Sequence, residues 1–200
     1  MTTDEAPLRV AGPADVDPIV ATLTSAFFDD PLWGPAFPDR QQRAAQAAQL
    51  WRLFASSAQR YPWSLVTPNV EAVALWIPPG GHELTEADEA GLESFLVDLV
   101  GTEAAAGILA LFEQFEAARP DEPHFYLSLL GTHRDHRGAG IGMALLADTL
   151  ALIDAEGMPT YLESTNPAND ARYVRQGYRP LDQVTLANGH RITTMWRDPA

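Results

Sequence analysis

The chain has 200 residues and a formal net charge of −14, and it contains no cysteine. Its length suits one domain, which we place at residues 1–200, and its apolar runs are much shorter than the roughly 20 residues that span a bilayer. The acidic charge disfavours nucleic acid and anionic membranes as partners and favours a small cationic substrate. The missing cysteine excludes disulfides, thiolate metal sites and thiol nucleophiles. The first residues lack a signal-like apolar stretch, so we expect a cytoplasmic protein.

The first half of the chain predicts an extended segment, two helices and a β-hairpin. Apolar residues recur at helical spacing from Val16 to Phe27, and Pro13 suits the first turn of that helix. A stretch rich in Ala and Gln predicts a second helix that ends before Pro62. A Pro-Asn pair then predicts the turn between two short strands. The predicted ranges are 8–10 for the extended segment, 39–60 for the second helix, and 63–67 and 70–77 for the strands.

The second half of the chain predicts a helical hairpin followed by alternating strands and helices. Two apolar stripes at helical spacing, split near Gly101, predict paired helices within residues 85–119. A β-rich apolar run over residues 125–130 is typical of a buried central strand. An Asn-Gly pair predicts the turn of a terminal hairpin. The remaining predicted ranges are 140–156 and 168–176 for helices, and 159–164, 181–187 and 191–196 for strands.

A glycine-rich turn between the predicted central strand and the following helix carries the strongest chemical signal. It runs from Arg137 through Gly140 to Gly142. Glycines let the backbone approach a ligand closely, and the free N–H groups of a helix's first turn bind phosphate or pyrophosphate. The spacing matches neither the nucleoside triphosphatase loop nor the dinucleotide fingerprint. Taken alone, such a turn is equally compatible with an ordinary structural role.

Two segments together resemble the GNAT family of N-acetyltransferases. Arg137, Gly140 and Gly142 match the family pattern R-x-x-G-x-G, and residues 169–178 match its N-x-x-x-Y segment with a glycine-aromatic pair after it. Further likeness to the puromycin N-acetyltransferase-like group lies in segments 15–30, 72–76 and 162–167. The resemblance implies an α/β (α+β) fold with a mixed central sheet of about six to seven strands flanked by helices. It also implies that a helical hairpin is inserted before the central strand.

The resemblance implies acetyl-CoA as the acetyl donor. In this family the backbone of the glycine-rich turn binds the coenzyme A pyrophosphate, and the splayed central strand holds the pantetheine arm. A backbone N–H near Leu130 would also stabilise a developing oxyanion, an effect worth on the order of 3 kcal/mol. Asn169 either binds the cofactor or caps the short helix. The cofactor-binding residues implied are Leu129, Leu130, Thr132, Arg137, Gly138, Ala139, Gly140, Ile141, Gly142, Asn169 and Tyr173.

Tyr173 and Glu163 are the candidate catalytic residues. A phenol with an ordinary pKa near 10 is protonated at neutral pH, so Tyr173 is the candidate general acid for the leaving thiolate. The alternative is that Tyr173 only packs against its neighbours. Glu163 is the candidate general base, directly or through water, and a structural carboxylate is the alternative. The positions of His124 and His136 do not favour amine deprotonation, and no pair of His with a carboxylate has the helix-face spacing of a metal site.

Four residues are candidates for the acceptor pocket: Phe28, Asp30, Trp33 and Trp76. Core packing is the alternative for each, except that we expect Trp33 in a loop because prolines and glycine surround it. The resemblance implies direct acetyl transfer, in a ternary complex, to the primary amine of a small cationic molecule. Two alternatives stay open: an acetyl-CoA binding or sensing module without turnover, and acetylation of a protein N-terminus or lysine. The acceptor's identity and the oligomeric state stay open as well.

Overall fold

The computed structural model describes residues 8–200, which fold around a mixed sheet of seven strands. The strands are β1 (Arg9–Val10), β2 (Ser64–Val66), β3 (Ala72–Ile77), β4 (Phe125–Thr132), β5 (Thr160–Ser164), β6 (Arg179–Thr185) and β7 (Arg191–Arg197). Their order across the sheet is β1-β2-β3-β4-β5-β7-β6. Neighbouring strands pair antiparallel, except β4 and β5, which run parallel at the centre.

Helices cover both faces of the sheet. They are α1 (Val16–Phe27), α2 (Trp33–Ala36), α3 (Arg43–Ala58), α4 (Glu86–Val100), α5 (Thr102–Ala118), α6 (Ile141–Ala155) and α7 (Asp170–Arg175). One face carries α1, α3 and the α4–α5 hairpin, and the other carries α6. The predicted mixed α/β fold, with a helical hairpin before the central strand, is therefore confirmed. Among residues 8–200, every helix falls short of the length or the apolar character that a membrane span needs.

Local signals account for several helix ends. The Thr85 hydroxyl caps α4 by accepting the N–H of Asp88 at 3.1 Å, and it donates to the Asp88 carboxylate at 2.6 Å. Gly101 separates α4 from α5 as predicted, with a φ of 81° that favours glycine. Helix α3 starts later than the predicted residue 39, because the carboxylate of Asp39 accepts the N–H of Gln41 at 2.9 Å and holds a turn there.

The turn before β3 differs from the sequence prediction, which began a strand at residue 70. Val70 has a φ of 62°, in the left-handed region that a β-branched residue rarely occupies. Its N–H donates to the Thr67 carbonyl at 2.9 Å, and its carbonyl accepts the Thr22 hydroxyl at 2.5 Å. Because these two bonds and the burial of the Val70 side chain hold the turn, β3 starts only at Ala72.

A cleft opens in the sheet between β4 and β5. The two strands pair only at Phe125–Thr160 and Tyr126–Tyr161, and β4 then continues to Thr132 without a β5 partner. Against β3, the register shifts so that Ser128 is an extra residue on β4, which is a β-bulge. The backbone of β4 beyond the bulge therefore faces this central cleft on its β5 side, and the candidate site is built around it.

Candidate active site

Three cavities follow one another along the central cleft. The cradle, of about 380 Å³, lies at the glycine-rich turn, and the junction, of about 60 Å³, lies where β4 and β5 separate. The outer chamber, of about 910 Å³, lies beside the start of α4 and the end of α5. The cradle and the junction share Phe27, Leu130 and Tyr173, and the junction and the outer chamber share Phe115 and Tyr126. The shared residues place the cavities side by side along one path.

The backbone of the glycine-rich turn shapes the cradle. Gly138 and Gly140 have φ angles of 86° and 80°, which residues with side chains rarely adopt. Gly142 lets α6 approach β4 closely, because a Cβ there would lie 2.3 Å from the Thr132 hydroxyl oxygen. The first N–H groups of α6 have no intrahelical partners and, together with the helix dipole, favour an anion. The turn therefore presents bare backbone donors to an anionic group.

Arg137 and Asn169 add side chains to the wall of the cradle. Arg137 Nη2 donates to the carbonyl of Ala26, which holds the guanidinium beside the turn. Asn169 makes no capping hydrogen bond to α7, and the preceding turn is capped instead by Asn166, which accepts the N–H of Ala168 at 3.1 Å. The capping alternative for Asn169 therefore does not hold, and its side chain is available to a ligand.

Most of the residues expected at the cofactor lie along this path. Thr132, Gly138, Ile141 and Gly142 line the cradle, and Leu129 lines the junction. Ala139 belongs to the turn but does not line the cradle.

Tyr173, on α7, lines both the cradle and the junction. Burial, together with the nearby carboxylates of Asp30 and Asp170, raises the pKa of its phenol to about 12. Its ring packs edge-on against Tyr178, with 6.1 Å between the centroids. The phenol is therefore protonated throughout the neutral pH range, at the boundary between the two cavities.

Glu163, on β5, lines the junction. Strand alternation turns its side chain away from the face on which the buried Leu162 packs. Within residues 8–200, its buried Oε1 has no hydrogen-bond partner. Burial raises the pKa of this carboxyl to about 7, although the Arg119 guanidinium and the phenols of Tyr126 and Tyr161 oppose the rise. Such a carboxyl takes up and releases protons near neutral pH.

The outer chamber combines acidic and apolar walls. The carboxylates that line it are Glu83, Glu89, Glu113, Glu116, Asp121 and Glu122, and the large apolar side chains include Phe54, Leu84, Leu92, Phe112 and Phe115. Arg119 is the guanidinium among its lining residues. An excess of negative charge beside apolar surface is complementary to a cation with an apolar portion.

The sequence interpretation missed a partly buried cluster of Glu83, Arg119 and Tyr126. The Ser128 hydroxyl donates to Glu83 Oε1 at 2.5 Å, and Arg119 Nη2 lies 3.3 Å from Glu83 Oε2. The Arg119 guanidinium also lies over the Tyr126 ring, 4.0 Å from its centroid. Glu83 lies 36 residues before Arg119 and the three residues match no motif, so only the fold reveals that they meet.

Two of the four residues expected at an acceptor pocket lie on the path. Trp33 lines the junction, but it starts the single-turn helix α2 and packs edge-on against Trp51 at 5.1 Å, so the prediction of a loop there is wrong. Asp30 lines the cradle instead of the outer chamber. Its Oδ1 accepts the N–H groups of Leu32 and Trp33 at 2.9 and 3.1 Å, so the carboxylate stabilises the start of α2.

Phe28 and Trp76 lie away from the path. Trp76 is fully buried between the sheet and α6, and it does not line the cradle, the junction or the outer chamber. Phe28 lines a separate groove along α1 and α3, where the guanidiniums of Arg40, Arg43 and Arg134 lie 5.3 to 5.5 Å from its ring centroid. The expectation that they line the acceptor pocket finds no support, because strand alternation directs Trp76 toward α6 and Phe28 points outward from the end of α1.

The histidines near the path do not suit proton transfer at the junction. His124 lines the outer chamber, its Nδ1 lies 2.6 Å from the Glu122 carbonyl, and burial lowers its pKa. His136 lines the cradle at the far end of the path. The part of the chain that the structure describes contains no cluster of three or more residues suited to hold a metal ion.

The chain is similar to known acetyltransferases in both sequence and structure. Residues 50–178 match the sequence model of the acetyltransferase (GNAT) family. The structure of "histone acetyltransferase HPA2 and related acetyltransferase" from Corynebacterium glutamicum is 28% identical, with a TM-score of 0.69 over 96% of both chains. A Drosophila melanogaster polyamine N-acetyltransferase is 14% identical, with a TM-score of 0.65 over 96% of this chain and 99% of that one. Arylalkylamine N-acetyltransferase 2 from Aedes aegypti is 14% identical, with a TM-score of 0.65 over 97% and 99%. The last two likenesses show a shared fold.

Proposed function

The chain belongs to the GNAT family and is an N-acetyltransferase, and we propose that it transfers the acetyl group of acetyl-CoA directly to a primary amine of a small cationic molecule. The observation that carries this proposal is the path from the cradle through the junction to the outer chamber. An anion-binding backbone lies at one end, two proton-handling groups lie in the middle, and an acidic chamber lies at the other end. We also propose a cytoplasmic location, as expected from the sequence.

The cradle fits the pyrophosphate of coenzyme A. Acetyl-CoA is the donor that this family uses, and when bound it supplies the thioester that carries the acetyl group. A Cβ at Gly140 would meet no protein atom within 4 Å, so the backbone there is open to a ligand. Arg137 and Asn169 would add a positive charge and an amide to the wall. We assign Leu129, Leu130 and Thr132 to the pantetheine arm, because their backbone lacks a β5 partner.

Tyr173 and Glu163 divide the proton chemistry in this proposal. Glu163, with a pKa near neutrality, accepts the proton that the amine loses, directly or through a water molecule. Tyr173 holds a proton on its phenol oxygen for the departing sulfur. A backbone N–H near Leu130 donates to the carbonyl oxygen as negative charge develops on it. Direct transfer needs no acyl-enzyme, in agreement with a chain that has no cysteine.

The charge of the outer chamber supports a cationic acceptor. Free primary amines are ammonium ions at neutral pH, and the carboxylates attract them before Glu163 removes a proton. Phe112 and Phe115 favour an acceptor that also has an alkyl or aryl portion. An enzyme with a shared fold acts on a cationic amine, since the Drosophila melanogaster polyamine N-acetyltransferase forms N-acetylagmatine.

Thiol release from acetyl-CoA, measured across a panel of acceptors, tests the proposal. The panel contains diamines, arylalkylamines, puromycin and basic peptides. It also contains monoamines that match the diamines, in which a hydroxyl or ether group replaces the second amine. We expect turnover on the small cationic amines, with kcat/KM about tenfold lower or more when the second cation is replaced by a neutral group. Turnover confined to peptides would support protein acetylation instead. Calorimetric binding of acetyl-CoA without turnover of any acceptor would support a sensing module.

A further inference from the structure

A charged cluster lies where the outer chamber meets the junction. Arg119 Nη1 lies 2.9 Å from Glu116 Oε2, and its Nη2 lies 3.3 Å from Glu83 Oε2. The other oxygen of Glu83 accepts the hydroxyl of Ser128, the extra residue of the β4 bulge, at 2.5 Å. The side chains of Arg119 and Glu83 are only 20% and 24% exposed. Both terminal nitrogens of the guanidinium are therefore engaged by carboxylates other than Glu163.

Glu163 is the neighbouring carboxylate that Arg119 leaves unbound. Within residues 8–200, neither Glu163 Oε1 nor Arg119 Nε has a hydrogen-bond partner, although both are buried. The Tyr161 hydroxyl donates to the Ala118 carbonyl at 3.2 Å, and the Tyr126 ring lies under the Arg119 guanidinium. A bidentate arginine pair, the strongest available partner for a buried carboxylate, is thus withheld from Glu163.

We propose that Glu83 is a positioning residue: by holding Arg119, it prevents the guanidinium from pairing with Glu163 and keeps Glu163 free to accept a proton from the acceptor amine. This inference rests on the proposed function of Glu163 as the base. A direct ion pair would stabilise the ionised carboxylate and make it a weaker proton acceptor. The β4 bulge takes part because it places Ser128 where its hydroxyl fixes Glu83.

The charges around Glu163 determine the direction in which each substitution moves its pKa. Burial raises the pKa of Glu163 most, Arg119 and the phenols of Tyr126 and Tyr161 lower it, and Glu83 raises it. Replacing Glu83 with Gln removes a negative charge and also frees Arg119 to approach Glu163. Both changes lower the pKa of Glu163. Replacing Arg119 with Gln removes the positive charge, and the pKa of Glu163 then rises.

Two other titratable groups near the cluster do not change the direction of these pKa shifts. Glu116 binds Arg119 from the solvent side, where its side chain is 73% exposed. His124 packs against the Tyr161 ring at 5.3 Å, and because burial lowers its pKa it is neutral above that lowered value. Neither group is altered by the substitutions in the test.

The test is the pH dependence of kcat/KM on one small cationic amine, measured for the wild type, Glu83→Gln and Arg119→Gln. The acid limb of the pH profile is the rise in kcat/KM as the base ionises. We expect its midpoint to move to lower pH by about one unit in Glu83→Gln and to higher pH by about one unit in Arg119→Gln. Glu89→Gln is the matched control, because Glu89 lines the same chamber but is not one of the carboxylates that pair with Arg119 among the described residues. It should change KM and leave the acid limb in place. A merely structural role would lower activity in both test variants without moving the limbs in opposite directions.

An unmoved acid limb in Glu83→Gln would overturn the inference. If that variant does not fold, Ser128→Ala takes its place, because it removes the hydroxyl that fixes Glu83. It should shift the limb in the same downward direction by a smaller amount, and no shift would overturn the inference equally. Wild-type protein that binds acetyl-CoA but turns over no amine would instead contradict the proposed function.

Discussion

Because α6 approaches β4 closely at Gly142, we expect a side chain at position 142 to destabilise the protein. In Gly142→Ala, the new Cβ would lie 2.3 Å from Thr132 Oγ1 and 3.7 Å from Thr132 Cβ. Only the first distance is a clash, so α6 and the Thr132 side chain must shift apart. We expect a loss of about 1–3 kcal/mol in unfolding free energy, larger than the gain of at most about 1 kcal/mol in helix propensity. The movement also displaces the N–H groups of the cradle, so acetyl-CoA binding should weaken.

Thr132→Ala removes the clashing oxygen and therefore supplies the matched rescue. Urea denaturation measures the unfolding free energy, and calorimetric titration measures the Kd for acetyl-CoA. The double variant Thr132→Ala/Gly142→Ala should recover the stability and affinity of Thr132→Ala alone, because the two residues interact directly. Unchanged stability and affinity in Gly142→Ala, or a double variant that fails to recover them, would contradict a direct clash between the two residues.

Three other substitutions test the turn, the base and the last strand. Gly140→Asp places bulk and negative charge at the turn and should abolish acetyl-CoA binding in calorimetry; retained tight binding would assign the turn another role. Because the ionised form of Glu163 is the active base, wild-type kcat/KM should rise with pH through about 7. Glu163→Gln should remove that limb and lower kcat by about 100-fold, and a retained limb would exclude Glu163 as its source. Asp154→Asn breaks the 2.6 Å ion pair with Arg197, which lowers the pKa of Asp154. It should destabilise the protein by about 1–2 kcal/mol in urea at pH 7, an effect that disappears as the pH falls well below about 4; an equal effect at pH 3 would contradict this origin.

Features with a strong local signal were predictable from the sequence. Apolar spacing predicted α1, and Gly101 predicted the division of the helical hairpin. The glycine-rich turn predicted a tight turn between the central strand and the next helix, and Gly138 and Gly140 have positive φ angles there. These features depend on neighbouring residues, whose propensities the sequence shows directly.

Features that depend on strand register and distant contacts were not predictable. An isolated tryptophan such as Trp76 does not show which face of the sheet it occupies. The bulge at Ser128 is invisible in an apolar strand, although it decides that Glu83 is held beside the junction. The contact between Glu83 and Arg119 spans residues on either side of the helical hairpin, so no short motif encodes it.

The turnover of Tyr173→Phe decides whether the junction is the reaction centre, because Tyr173 lines both the cradle and the junction. The substitution removes the phenol oxygen and keeps the ring that packs against Tyr178. We expect kcat from thiol release to fall by about 100-fold, while the calorimetric Kd for acetyl-CoA stays nearly unchanged. Turnover equal to that of the wild type would contradict the acid role of Tyr173 and the account of the junction as the reaction centre.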